Sequence, residues 1–112
     1  MNDLSWSEFE RVELRVGTII TAEIFKEARK PAIKLSIDFG YEIGMRKSSA
    51  QITDHYTPEA LIGKQISAVV NFPKKQIAKF MSECLILGAV PSKGDVILLA
   101  TDFQVPNGTE IA

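Results

Sequence analysis

Asn71–Ala89 reads NFPKKQIAKFMSECLILGA, and the fold turns on how this stretch is divided. Asn71-Phe72-Pro73 ends an apolar run, because proline brings no ladder donor and biases the residue before it away from helix. From Lys74 to Met81, Lys75 and Lys79 stand four residues apart, and Ile77 precedes Phe80 and Met81 by three and four. That spacing predicts one or two helical turns with the lysines outside. Ser82–Ala89 is a second apolar run that has to be buried. A strand, a short basic link and a strand in so few residues put positive charge beside a sheet surface.

Working outward, Gln65–Asn71 predicts a strand with β-branched Ile66, Val69 and Val70. Before it, Thr57-Pro58-Glu59-Ala60 reads as an N-cap, a proline at the first helical position and a short helix that Gly63 ends. Ala32–Phe39 has the cleanest alternation, with Ile33, Leu35, Ile37 and Phe39 facing in and Lys34, Ser36 and Asp38 facing out. Gly40-Tyr41-Glu42 predicts a hairpin turn into a third strand, Ile43–Gln51. That strand carries Arg46, Lys47, Ser48 and Ser49 and is too polar to be buried on both faces. Val12–Ile24 also alternates, Val12, Leu14 and Val16 against Glu13, Arg15 and Gly17. The glycine inside it suggests a bend or bulge. Glu27–Pro31 breaks the pattern and predicts a loop.

At the N-terminal end, Ser5 with Glu8 three residues on has the capping-box spacing, so Asp3–Phe9 predicts a short helix with Trp6 and Phe9 packed on the domain. After the second apolar run, Pro91–Asp95 is a turn, Val96–Ala100 a short strand and Val105–Gly108 a turn in the tail. Five or six short strands with turns between them and two or three brief helices predict an all-β fold, a small closed or nearly closed barrel. The expected layout is one domain over residues 1–112: an N-terminal helix (1–11), the barrel (12–100) and a C-terminal tail (101–112). Cys84-Leu85-Ile86-Leu87 is apolar at both parities, so its outer face needs a cover. The N-terminal helix, the tail or a second subunit can supply it, and a two-fold homodimer is the commonest solution.

With 112 residues there is room for one core and not two. Hydrophobic residues make up 46% and charged residues 24%, the balance of an ordinary globular domain. No apolar run approaches the roughly 18 residues of a membrane helix, so no membrane partner is expected. Met1–Trp6 has no basic residue ahead of an apolar stretch, so no secretion signal is expected. The one cysteine rules out an internal disulfide and fits the reducing cytoplasm. A net charge of −1 argues against a protein that coats DNA in bulk. The charges are unevenly placed, however: Glu8, Glu10, Glu13, Glu23 and Glu27 come early, and Lys64, Lys74, Lys75 and Lys79 come late.

Several stretches resemble the tRNA-binding domain family, an OB-fold module appended to aminoacyl-tRNA synthetases and also found as stand-alone dimers. They are Leu14-Arg15-Val16-Gly17-Thr18-Ile19, Ile33-Lys34-Leu35, Ser48-Ser49, Tyr56–Lys64 (YTPEALIGK) and Asn71–Leu87. The chain is more similar still to the stand-alone CsaA group, described as export-related chaperones. That likeness rests on Ala32–Leu35 with Ile37–Gly40, Ser48–Thr53, Val70–Pro73, Ser82-Glu83 and Pro106–Thr109. In the link the appended domains often carry an Arg-Gly pair, where this chain has Ala78-Lys79. The resemblance implies a small OB-fold barrel and a cytoplasmic homodimer. It also implies binding of tRNA or structured RNA, with Ser48, Asn71 and Ser82 on the nucleic-acid face, and a chaperone role toward unfolded polypeptides.

The residues themselves offer two binding chemistries. Lys74, Lys75 and Lys79 can neutralise phosphates, and Ser48, Ser49, Asn71 and Ser82 can exchange hydrogen bonds with phosphate, 2′-hydroxyl or base edges. Alternatively, Phe72, Pro73, Ile77 and Met81 form an apolar groove for unfolded or export-bound polypeptides, since methionine adapts to varied partners. Ile77, Phe80 and Met81 can equally serve only to bury the link. Catalysis is not expected. His55 is the only histidine and Cys84 the only thiol, so no Cys/His zinc set exists. Asp54-His55 with Ser48 or Ser49 lacks a nucleophile-elbow motif. Gly40 and Gly44 lack the Lys-Ser/Thr of a phosphate loop, and no cofactor is expected.

Overall fold

A computed structural model describes residues 1–112. In chain order the elements are α1 (Trp6–Glu10), β1 (Leu14–Ile24), β2 (Ile33–Asp38), α2 (Gly40–Ile43), β3 (Met45–Ala50), α3 (Pro58–Leu61) and β4 (Gln65–Val69). There follow β5 (Lys75–Ile77), β6 (Phe80–Ser82), β7 (Leu85–Ile86), β8 (Gly88–Ser92), β9 (Asp95–Leu98) and β10 (Glu110–Ile111). The strands β1, β2 and β3 form an antiparallel meander, β1 also pairs with β4, and β4 pairs with β7. Strict alternation in β2 buries Ile33, Leu35 and Ile37, and Phe39 follows them into a core shared with Ile19, Leu61 and Ile66.

One long strand serves both halves of the sheet. The first half of β1 pairs with β4 and the second half with β2, and the register slips between Ile19 and Thr21. The bulge is therefore at Ile20, not at the expected Gly17. Gly17 answers a different need. A Cβ there would lie 2.6 Å from Ile37 Cγ2 and 2.7 Å from the ring of fully buried Phe39.

The barrel closes through one backbone bond and several side chains. Glu83 N donates to Lys47 O (2.7 Å), Lys47 N donates to Glu83 Oε1 (3.0 Å) and Ser48 Oγ donates to Cys84 O (3.0 Å). Arg46 Nη1 bridges the carbonyls of Val70 and Glu83. The polar residues of β3, too polar for a strand buried on both faces, are what seal it to the segment leading into β7. The result is the nearly closed, five-stranded barrel of the OB type, with strands β1, β2, β3, β7 and β4 around it.

The expected helical link is instead a hairpin. β5 and β6 pair with Lys75 opposite Ser82 and Ile77 opposite Phe80, and Ala78-Lys79 make a two-residue turn. Such turns match the twist of the strands only when a turn residue takes positive φ, and Ala78 takes φ 54°. The expected single strand from Ser82 to Val90 is broken into the end of β6, then β7, then β8, which turns back on β9. Gly40 starts a one-turn helix rather than a plain hairpin turn, its Gly44 N bonded to Gly40 O.

The two ends of the chain differ in how they meet the barrel. The capping box of α1 forms as expected, with Glu8 N bonded to Ser5 Oγ and Ser5 N to Glu8 Oε1. Trp6, however, is 84% exposed, so α1 does not pack Trp6 on its own barrel. Five residues give too short an apolar stripe to bury both aromatics. The tail does pack. Gly108 N donates to Val16 O, Val16 N to Thr109 O, and β10 pairs with Leu14 and Arg15. The Gln65 amide both donates to Val105 O and accepts from Val105 N. Arg15 is 8% exposed, bonded to Glu13, Glu42 and the Gly108 carbonyl, with Glu110 3.6 Å away. The Glu13 carboxylate in particular holds the guanidinium in its charged form, raising its pKa further.

Candidate nucleic-acid interface

Two loops flank the outer face of β3, the β1–β2 loop and the β5–β6 hairpin. Between them runs an open groove of about 820 Å³, lined by Arg29 and Lys30 from the first, Lys75, Gln76 and Ile77 from the second, and Ser49 and Gln51 from β3 and its extension. Arg29, Lys30 and Lys75 make no ion pair, so their charge is unspent. The hairpin positions Lys75 because β5 runs along the groove, and Gln76 Nε2 donates to Ala78 O across the turn. Next to the groove, Phe80 meets Phe25 edge-on with centroids 5.4 Å apart. Lys34 Nζ lies within 5.8 Å of both centroids and Lys47 Nζ 5.3 Å from that of Phe80, so two cations stand over buried Phe25 and partly exposed Phe80.

The residues expected at an RNA face separate into two sets. Ser49 and Lys75 lie in the groove, and Lys79 is exposed at the hairpin tip. Lys74 is bound to the Glu83 carboxylate at 3.5 Å. Ser48 is 1% exposed and spends its hydroxyl on barrel closure. Ser82 is partly buried, its Oγ 3.5 Å from Cys84 O. Asn71 is a staple. Its Oδ1 accepts from Glu13 N (3.0 Å) and its Nδ2 donates to Arg11 O (2.7 Å), tying the exit of α1 to the end of β4. Arg29, Lys30 and Gln51 are groove residues that sequence reasoning misses. The only signal for them is the basic pair itself, in a loop whose neighbour is a tertiary fact.

The apolar set does not assemble as expected. Phe72 is 55% exposed and lies with Pro73 against Glu8, Arg11 and Val12, on the α1 side. Ile77 pairs with Phe80 and Met81 with Gln76, so Ile77 and Met81 point to opposite faces of the hairpin. A helix would have put them together; a strand separates them. Of the groups considered for catalysis, His55 bonds to Asp95, not to Ser48 or Ser49. Burial pushes the Cys84 thiol up to about 11, which keeps it protonated and inert.

An OB-type barrel with an unpaired cationic groove across its third strand is the kind of surface on which such folds take up nucleic acid. Residues 14–110 match the family model described as "Putative tRNA binding domain", and the chain belongs to that family. Among solved structures it is similar to the chaperone CsaA of Bacillus anthracis, with 57% identity and a TM-score of 0.94 over 99% of this chain and 100% of that one. It is similar as well to the CsaA chaperone protein of Picrophilus torridus, with 49% identity and a TM-score of 0.91 over 98% of this chain and 100% of that one. A methionine–tRNA ligase of Methanocaldococcus jannaschii is 32% identical over 111 residues, which are 99% of this chain and 17% of the ligase. The chain thus spans about a sixth of the length of the curated ligases it matches.

Proposed function

We propose that this protein is a non-catalytic, cytoplasmic tRNA-binding module of the CsaA type, a single OB domain that takes tRNA or structured RNA in the groove between the β1–β2 loop and the β5–β6 hairpin. The observation that carries this reading is three unpaired cations, Arg29, Lys30 and Lys75, converging on a groove whose other polar lining is uncharged. Lys79 and Lys47 extend the cationic surface around it, Lys34 being paired with Glu23; Lys74, Ser48 and Ser82 brace the seam behind it, and Asn71 staples the α1 side. Phosphates entering the groove would release counterions. Three contacts predict that log K falls with log salt at a slope of about −2 to −3. Fluorescence anisotropy of labelled tRNA across a salt series measures that slope. Replacing Arg29 and Lys75 together by glutamine should weaken binding and flatten the slope by about 2. A slope and affinity unchanged by that pair would refute the groove as the site.

A second reading, a chaperone for unfolded or export-bound polypeptides, is favoured by the similarity to CsaA and by exposed apolar side chains such as Phe72, Trp6 and Leu85. Peptide binding that persists at high salt and falls on Phe72→Ala would support it. A two-fold homodimer fits both readings, because exposed Trp6 needs a cover that its own barrel does not provide.

A further inference from the structure

The hydrogen bonds that close the barrel stop at Ser48 and Cys84. Beyond them no ladder joins Ser49–Ile52 to Leu85–Leu87. Between them is a slot of about 230 Å³, walled by Ala50, Ile52, Ile86 and Leu87 and floored by Val96 and Leu98 of β9. This is below the roughly 300–1,000 Å³ of sites for drug-sized ligands and is room for one flat ring system or one large side chain. The slot and the cationic groove share two lining residues, Ser49 and Gln51, so they adjoin across the end of β3. The Ser49 hydroxyl and the Gln51 amide make no hydrogen bond within the protein, although nearly every other polar side chain around the seam does.

We infer that the slot receives a single unpaired nucleobase whose flanking phosphates lie in the groove, so that the RNA bound by this protein is single-stranded at the point of contact. This rests on the RNA-binding reading and adds which part of an RNA is read. The chemistry fits in three parts. A base has two apolar faces, which the aliphatic walls match. It has donors and acceptors on its edge, which an amide and a hydroxyl at the rim can meet, glutamine supplying both kinds. It is joined to phosphates, which Arg29, Lys30 and Lys75 can neutralise. A base held in a duplex meets only the last of these, because its edge is paired and its faces are stacked. An apolar peptide side chain would use the walls and leave the rim and the cations idle.

The test compares a short ribo-oligonucleotide carrying 2-aminopurine with the same strand annealed to its complement, each titrated with the full-length protein at low salt. The single strand should bind about tenfold tighter than the duplex, within the range that stacking one base contributes, with a change in 2-aminopurine emission. Gln51→Leu, at an exposed position, and Leu85→Asn, a neutral change at a half-exposed one, should each bring the two affinities together while leaving the salt slope intact. Arg29→Gln should instead weaken both forms alike. Equal binding of single strand and duplex by the unaltered protein overturns the slot while leaving the RNA reading standing. Failure to bind either form overturns both. A preference that survives both slot variants, or an unfolded apolar peptide that needs Leu85 when RNA does not, also overturns the assignment, the latter in favour of a polypeptide occupant.

Discussion

Removing the Glu83 carboxylate should loosen the seam between β3 and the start of β7 without touching the core. Its Oε1 accepts the Lys47 amide and its Oε2 lies 3.5 Å from Lys74 Nζ. Losing a charged acceptor costs about 1.5–3 kcal/mol when the donor is left unsatisfied. The Lys47 amide can recruit water, which places the cost near the low end. The Lys74 pair, with a lysine two-thirds exposed, adds at most about 1 kcal/mol. Glu83→Ala should therefore lose about 2 kcal/mol, a substantial part of the roughly 5–15 kcal/mol of a domain this size. The charge part can be isolated with Glu83→Gln, which keeps an acceptor and should lose about 1 kcal/mol at neutral pH.

The pH dependence then follows from the sign of the shift. The Lys47 amide above all holds the Glu83 carboxyl below its ordinary value of 4.5; burial opposes it, and Lys74 adds to the lowering. A depressed carboxyl contributes its stabilisation in full above the ordinary value and loses it as pH falls through the folded one. The gap between wild type and Glu83→Gln should be constant near neutrality, begin to close below about pH 4.5 and vanish once the group is protonated in both states. Urea denaturation at a series of pH values, with unchanged m-values, measures it. A gap that stays constant into the acid range, or a glutamine variant as stable as wild type at neutral pH, would refute a role for the Glu83 charge in closing the barrel.

Gly17→Ala should cost about 1–3 kcal/mol, read as a lower midpoint in urea, because its methyl would press on Ile37 and Phe39, neither of which has room to move; a neutral result would mean the strands can part there. Ala78→Gly should stabilise the hairpin by up to about 1 kcal/mol, since a left-handed alanine carries a steric cost that glycine lacks. A loss of stability would show that the turn tolerates alanine without strain. Cys84 should resist a thiol-specific disulfide reagent at pH 8 in the native protein and react fully in denaturant, its thiol being raised to about 11 by burial. Native-state reaction at the unfolded rate would contradict that burial.

The parts of the fold that are legible in the sequence are those where one local pattern decides. β2 buries every second residue as its alternation predicts, and the Ser5–Glu8 box caps α1. The β5–β6 hairpin is not legible that way. Its lysines and apolar residues match helical spacing, and its turn contains neither glycine nor asparagine to betray a positive φ. Arg15 has the place of an outward residue in an alternating strand, yet it is buried because the tail, far off in sequence, folds over it. The candidate site shows the same division. Lys75 and Ser49 can be picked out by residue type, whereas the meeting of Arg29 and Lys30 with the hairpin depends on two loops brought together only by the closed barrel. Ser48 and Asn71, polar and near the right place, spend their hydrogen bonds on the scaffold.

The stitching of residues 105–111 onto β1 bears on how the molecule is made. Val16 bonds to Thr109 and Gly108, and Leu14 lies opposite Ile111. Once made, β1 therefore waits for partners that lie far later in the chain, with one edge and the Arg15 guanidinium uncovered in the meantime. Contacts so far apart along the chain slow folding. For this protein the interval between synthesis of β1 and arrival of the tail is the period of greatest risk from sticky, half-assembled intermediates.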